Sequence, residues 1–144
     1  MKTGSESRAA LIDTNILVYA YAENSPKRKR AAQLLKDCFE GNIRLAISSQ
    51  NLGEFCSVSL EKYKLESKEV EETAEELIGC KNFLKLNYRE ETVLKAVAIQ
   101  RRYKINFWDA MLAATMLENG IDTIYTEDSG FSRIDGIKAI NPFA

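Results

Sequence analysis

The sequence predicts an α/β protein with a parallel sheet covered by helices on both faces. Short apolar segments alternate with longer segments of helical spacing along the whole chain. The short segments are mainly apolar, which favours strands that are buried between two layers of helices. No internal repeat or linker divides the chain. We therefore expect a single domain over residues 9–144, preceded by a polar, flexible lead over residues 1–8.

The first half of the chain predicts two strands and four helices. Apolar residues from Ala31 to Phe39 recur at i, i+3, i+4, i+7 and i+8, with Pro26 suited to the first turn of a helix and Gly41 to its end. The other predicted elements, in chain order, are a strand at 9–12, a helix that carries Tyr19 and Tyr21, a strand at 45–48, and helices at 52–63 and 70–78.

The second half predicts two helices and three strands. The segment 107–118 is apolar nearly all round, which indicates a buried helix, and Asn119-Gly120 suits its end. We expect Phe107 and Trp108 to lie in the core. The other predicted elements are a helix at 90–103 and strands at 83–86, 123–126 and 137–140.

The composition excludes several kinds of active site. The chain has no histidine, which excludes Ser-His-Asp triads, Cys-His dyads and histidine zinc sites. Its three cysteines are far apart and form no C-x-x-C pair, which excludes a cysteine zinc site. Acid–base chemistry must then come from carboxylates, lysine, tyrosine or a metal-bound water. An oxygen-only set of ligands favours Mg²⁺ or Mn²⁺.

The same composition indicates a cytoplasmic protein. The widely spaced cysteines fit a reducing compartment. No apolar run approaches the roughly 20 residues of a membrane helix, and the first residues lack the apolar core of a secretory signal. The net charge of −1 gives no support to nucleic-acid binding.

Two aspartates follow predicted strands at the edge where parallel sheets bind ligands. Asp13 follows the first strand and Asp128 follows the fourth. Each also suits a structural role, because aspartate is favoured as a helix N-cap and in turns. For each residue alone, the two interpretations stay open.

Asp109 and Glu54 lie on predicted helices. Asp109 is in the first turn of the apolar helix, where it reaches back toward Asn106 in a capping box or points into a site that offsets its charge. Glu54 lies opposite the apolar stripe of its helix, so its spacing alone favours a solvated residue. If several of these carboxylates meet, a divalent cation would relieve their repulsion and activate water.

Four segments resemble, in order, the motifs of the PIN-domain family and, within it, of VapC-like toxins. They are Leu11-Ile-Asp13-Thr-Asn15, Asn51-Leu-Gly-Glu54-Phe, Asn106-Phe-Trp108-Asp109-Ala and Thr126-Glu-Asp128-Ser-Gly-Phe131. Each motif is weak alone, but their order and their positions relative to strands and helices make a strong joint signal. The resemblance covers nearly the whole chain and includes Glu54 in the acidic set.

The resemblance implies a three-layer α/β/α sandwich with a five-stranded parallel sheet. It implies a metal-dependent endoribonuclease that leaves a 5′-phosphate and a 3′-hydroxyl. Asp13, Asp109 and Asp128 would bind Mg²⁺ or Mn²⁺, Glu54 would bind the metal or orient the attacking water, and Asn15 and Thr126 would hold the acids in place. It further implies an RNA substrate, a small antitoxin protein as partner, and a homodimer.

Two basic groups are candidates for binding the RNA backbone. Lys27, Arg28, Lys29 and Arg30 open a helix, where cations oppose the helix dipole. Arg101, Arg102 and Lys104 precede the Asp109 helix. For either group alone, a solvated helix face is the favoured interpretation.

The sequence disfavours three alternative functions. A haloacid-dehalogenase phosphatase is disfavoured, because it needs a second aspartate where this chain has Asn15. A ribonuclease of RNA maturation is disfavoured by the small size of the chain. A non-catalytic PIN-fold binding module is disfavoured by the complete acidic set, and metal binding would discriminate it from the enzyme.

Overall fold

Five parallel strands form the centre of the computed structural model, which describes residues 8–144. Their order across the sheet is β3-β2-β1-β4-β5, and every neighbouring pair is parallel. The strands are β1 Ala10–Ile12, β2 Leu45–Ser48, β3 Phe83–Leu86, β4 Thr123–Tyr125 and β5 Lys138–Ile140. β2 and β3 lie on one side of β1, and β4 and β5 lie on the other. The predicted five-stranded parallel sheet is confirmed.

Helices cover both faces of this sheet. They are α1 Thr14–Tyr21, α2 Arg28–Phe39, α3 Ser49–Glu61, α4 Ser67–Gly79, α5 Glu90–Tyr103 and α6 Phe107–Glu118, with a short 3-10 helix at Ser129–Arg133. Successive residues of β1 point to opposite faces, as the pleat requires. Ile12 packs in the core formed with α1 to α4, and Leu11 packs in the core formed with α6 and the chain after it. The fold is therefore the predicted three-layer sandwich.

The buried helix α6 was predicted correctly as a whole. Residues 110–116 are all buried, and α5 packs on α6 through small side chains such as Ala96 and Ala114. The expectation that Trp108 lies in the core is wrong, since its side chain is 51% exposed. Trp108 lies in the first turn of α6, before the buried residues 110–116 of this helix.

The ends of α2 show one further difference from the sequence prediction. Pro26 precedes the helix, whose N-cap is Lys27, and so lies outside the first turn. Gly41 has φ +82° just after the C-terminal end, the left-handed conformation that glycine adopts without strain. The predicted polar lead over residues 1–8 lies, apart from Arg8, outside the described residues. Among the helices of residues 8–144, none has the length and apolar character needed to span a bilayer.

Candidate active site

Asp13 lies at the carboxyl end of the central strand, where its side chain is held by two different elements. Its Oδ1 accepts a hydrogen bond from the backbone N of Thr14 at 2.8 Å, which makes it the N-cap of α1. Its Oδ2 accepts a hydrogen bond of 2.7 Å from the hydroxyl of Thr126 at the end of β4. Burial raises the pKa of Asp13, and these two hydrogen bonds oppose the increase. The capping and the functional interpretations of Asp13 are thus compatible.

Glu54 lies on the side of α3 that faces α1 and is only partly exposed. Its Oε1 accepts a hydrogen bond of 3.0 Å from the hydroxyl of Thr14. That hydroxyl accepts a hydrogen bond of 3.1 Å from Nδ2 of Asn51. Asn51 is fully buried and is fixed in turn by the capping box that it forms with Ser48 at the start of α3. A continuous polar chain therefore orients Glu54, which is not the freely solvated residue that its spacing alone suggested.

Asp109 is a partly buried carboxylate in the first turn of α6. Asn106 caps α6 by accepting a hydrogen bond from the backbone N of Trp108 at 2.8 Å, without a capping box from Asp109. Burial raises the pKa of Asp109 to about 7, with further contributions from a hydrogen bond and charge repulsion with Asp128 and from the charges of Asp13 and Glu54. The Asp109 side chain is therefore part of a carboxylate cluster and is not a helix-capping group.

Asp128 lies beside Asp109 in the turn after β4. Its backbone N donates a 2.9 Å hydrogen bond to the hydroxyl of Thr126, and its Oδ1 accepts one of 2.8 Å from the backbone N of Gly130. Asp128 is thus the N-cap of the 3-10 helix. Because the Thr126 hydroxyl also donates to Asp13, this one buried group fixes the relative positions of two carboxylates.

The four carboxylates meet around two neighbouring cavities. Asp13, Glu54 and Asp109 line a cavity of about 540 Å³ together with Asn15 and Gln50. Asp109 and Asp128 line a second cavity of about 250 Å³. Asp109 is the carboxylate that both cavities share. All four predicted acidic residues are therefore brought to one edge of the sheet.

Two residues that line the larger cavity each have a buried oxygen that makes no hydrogen bond within the described part of the chain. These oxygens are Oδ1 of Asn15 and Oε1 of Gln50. Together with repelling carboxylates, unpaired acceptor oxygens are the surroundings that suit a hydrated divalent cation. Within residues 8–144 no three acidic or cysteine side chains are already arranged to hold a metal ion. An ion would therefore have to draw the carboxylates together, and the donor chemistry fits Mg²⁺ or Mn²⁺.

Three residues of this site were not identified from the sequence. Thr14 and Asn51 orient Glu54, and Gln50 donates from Nε2 to the carbonyl oxygen of Trp108 at 3.0 Å, which joins α3 to α6. The pattern Ser48-x-x-Asn51 at the start of a helix was a usable signal for the capping box. Gln50 and Thr14 gave no signal, because their partners are remote in sequence.

Three of the four residues in the first basic group make contacts within the protein. The ammonium of Lys27 donates to Glu127, the guanidinium of Arg28 to the carbonyl oxygen of Tyr21 at 3.0 Å, and Arg30 to that of Pro142 at 3.2 Å. Lys29 is exposed. A role of this group in binding RNA stays a prediction.

Comparison with known proteins places the chain in a family. It is 25% identical over 130 residues to a VapC ribonuclease of Mycobacterium bovis and to ribonuclease VapC13 of Mycobacterium tuberculosis, covering 90% of this chain and 98% of each relative. Among solved structures, it is similar to a toxin–antitoxin complex from Klebsiella pneumoniae, with a TM-score of 0.67, 24% identity and coverage of 93% of this chain and 98% of that one. It is also similar to Mycobacterium tuberculosis VapC20, described as a sarcin-ricin loop cleaving toxin, with a TM-score of 0.69, 17% identity and coverage of 87% and 94%. The PIN domain family model matches residues 10–137, most of the chain, and the protein therefore belongs to the PIN-domain family.

Proposed function

We propose that this protein is a divalent-metal-dependent endoribonuclease and the toxin of a toxin–antitoxin pair. The observation that carries the proposal is the convergence of Asp13, Glu54, Asp109 and Asp128 at one edge of the sheet, where burial, together with the neighbouring carboxylates, raises the pKa of Asp109 to about 7. Such mutual repulsion is unfavourable unless a cation offsets it. The chain has no histidine to supply another acid or base. The ribonuclease names of the similar mycobacterial proteins support the same activity.

Asp13, Asp109 and Asp128 are proposed to hold Mg²⁺ or Mn²⁺, with Glu54 as a further ligand or as the group that orients the attacking water. When bound, such an ion supplies a lowered pKa of water and charge stabilisation at the phosphate. Glu54 is suited to orient water, since the hydroxyl of Thr14 engages its Oε1 and leaves Oε2 without a hydrogen bond among the described residues. The unpaired oxygens of Asn15 and Gln50 are suited to accept hydrogen bonds from water in the same cavity.

Thr126 and Asn15 are proposed to support the acids. Thr126 is 1% exposed and donates to Asp13 while it accepts from the backbone of Asp128. Losing its hydroxyl would release both carboxylates from their shared orientation. Asn15 follows Asp13 by two residues, lines the larger cavity, and has a buried oxygen without a hydrogen-bond partner among the described residues.

A small antitoxin protein and a second copy of the chain are the proposed partners. Similar structures are described as toxin–antitoxin complexes, including one from Klebsiella pneumoniae and one from Salmonella typhimurium bound to DNA. Exposed apolar side chains on α5 and α6 support association with another protein. Leu94 is 72% exposed, Val97 45% and Leu117 43%, and exposed apolar residues gathered on one face are typical of protein interfaces.

The test is cleavage of labelled single-stranded RNA by the purified protein with Mn²⁺, Mg²⁺ or EDTA. Wild type is expected to cleave with metal and not with EDTA, and Asp109→Asn to lose about 100-fold or more of the activity. Asp122→Asn is the matched control, because it makes the same chemical change at an exposed aspartate that lines neither site cavity. Calorimetry with Mn²⁺ accompanies the assay. A protein that cleaves none of several RNAs and binds no Mn²⁺ would refute the enzyme and leave a binding module.

A further inference from the structure

The smaller cavity has a basic wall facing its two carboxylates. Asp109 and Asp128 form its acidic side, and Lys104 and Arg133 are its two cationic lining residues. The buried side chain of Phe131 is also part of the lining. Because Asp109 also lines the larger cavity, the basic wall lies next to the proposed cleavage site.

Lys104 and Arg133 are exposed and have no partner of their own. Within residues 8–144, neither side chain makes a hydrogen bond or an ion pair. Their neighbour Arg102 differs, since it pairs with Asp135 at 3.4 Å and lies over the ring of Tyr103. Lys104 and Arg133 are thus cations beside a cavity that contribute no contact to the fold.

A glycine keeps the space between Asp128 and Arg133 open. A Cβ at Gly130 would lie 3.0 Å from Oδ1 of Asp128 and 3.8 Å from Nη2 of Arg133. The guanidinium therefore lies near the Asp128 carboxylate without pairing with it. Its donors remain available to an anion that enters the cavity.

Lys104 is held at its position by the backbone. It is the C-cap of α5 in the left-handed conformation, with φ 56° and ψ 45°, and its backbone N donates to the carbonyl oxygen of Gln100 at 2.8 Å. It lies two residues before Asn106, the N-cap of the helix that carries Asp109. Lys104 and Asp109 therefore lie on either side of the short connection between α5 and α6.

We propose that Lys104 and Arg133 bind the RNA backbone phosphate adjacent to the one that is cut. This inference rests on the ribonuclease function proposed above. A strand that reaches Asp109 must bring further phosphates past four acidic side chains, and cations beside the cluster offset that repulsion. Arginine and lysine are the usual partners of backbone phosphates. Lys104 and Arg133 act on the binding of the substrate and not on its reacting atoms.

The test compares Lys104→Asn/Arg133→Gln with a matched double variant. Asparagine tolerates the left-handed conformation of residue 104. The control is Lys64→Asn/Arg8→Gln, since Lys64 has the same φ of 56°, Arg8 is exposed, and neither residue lines the two site cavities. A second variant, Lys104→Arg/Arg133→Lys, retains the charge. The measurements are kcat and KM for a single-stranded RNA oligomer with Mn²⁺, and Kd for the same oligomer in EDTA over a range of salt concentrations.

The neutral double variant is expected to raise KM and Kd about 10-fold at low salt and to change kcat by less than about 3-fold. The slope of log Kd against log salt should fall by about 0.7, the value for one phosphate of a single strand. The control and the charge-retaining variant should stay within about 2-fold of wild type, which also shows that folding is intact.

Three results would overturn the inference, and each is distinguishable from the others. If wild type cleaves RNA and the neutral variant has unchanged KM, Kd and salt slope, the phosphate subsite is wrong and the ribonuclease stands. An equal defect in the charge-retaining variant also refutes it, because the effect is then one of structure. If wild type neither binds nor cleaves RNA, both the proposed ribonuclease function and the phosphate subsite are refuted.

Discussion

Neutralising Asp109 is expected to make the metal-free protein more stable while it removes the activity. The pKa of this carboxyl is raised to about 7 from an ordinary value of 3.8. Between these two values the folded protein holds a proton that the unfolded chain has released. The free energy of unfolding therefore falls as pH rises from about 4 to 7 and stays low above pH 7. Asparagine at this position has no charge to repel Asp13, Glu54 and Asp128.

The size of this effect follows from the pKa shift. A shift of three units corresponds to about 4 kcal/mol. Asp109 is only half-buried and shares its interactions with Asp128, so solvent screening reduces the expected gain to about 1–2 kcal/mol at pH 8. At pH 4 the gain should vanish, because the aspartic acid is then neutral in the folded state as well.

The assay is urea unfolding in EDTA at pH 4, 6 and 8 for wild type, Asp109→Asn and the control Asp122→Asn. The control should follow wild type at every pH. Added Mn²⁺ should stabilise wild type at pH 8 and have a smaller effect on Asp109→Asn, since binding to the folded state raises its stability. A loss of stability at pH 8 in Asp109→Asn, or a gain of equal size at pH 4, would show that burial and the neighbouring carboxylates do not raise the pKa of this carboxyl.

Three further predictions concern the support of the site and the surface of the protein. Thr126→Val should lower metal affinity or kcat by about 10- to 100-fold and Thr126→Ser much less, because only valine lacks the hydroxyl that orients Asp13; equal activity of the two variants in RNA cleavage would contradict this. Ser48→Ala should lower the free energy of unfolding in urea by about 1–2 kcal/mol by removing the N-cap of α3, and a change below about 0.3 kcal/mol would show that the cap is dispensable. Leu94→Lys should convert a homodimer to a monomer in light scattering after size-exclusion chromatography, whereas Ile78→Lys, at an apolar residue that is 50% exposed on α4, should not; a Leu94→Lys dimer of unchanged stability would exclude this face.

Local sequence pattern was sufficient to predict the five strands to within one residue at each end and the bounds of α5 and α6, whereas α3 and α4 begin three residues before the predicted starts at 52 and 70. The segments 45–48, 83–86, 90–103 and 107–118 begin and end where the pattern predicts, because uninterrupted apolar runs and helical spacing report directly on burial. The start of α2 was less predictable. Pro26 suits both a first helical turn and the turn before it, and the hydrogen bonds of the chain decide between them.

The sequence predicted which four carboxylates lie together, but it did not predict the hydrogen bonds that hold them. Asp13 and Asp128 follow strands, so their edge of the sheet could be predicted from order alone. Glu54 could not be placed by spacing, since the helix face opposite its apolar stripe is covered by Thr14 of α1. The exposure of Trp108 was missed for the related reason that a first helical turn can extend beyond the sheet that covers the rest of the helix.

The hydrogen bond between Thr126 and Asp13 spans 113 residues of sequence, and this has a consequence for synthesis. The first strand and the first carboxylate leave the ribosome early, but they lack the partner that orients them until the fourth strand has been made. Domains complete their packing as the whole unit emerges. A nascent chain therefore carries an unassembled cluster throughout most of its translation. The proposed active site therefore forms only after β4 has been made, so the proposed activity requires nearly the whole domain to be synthesised first.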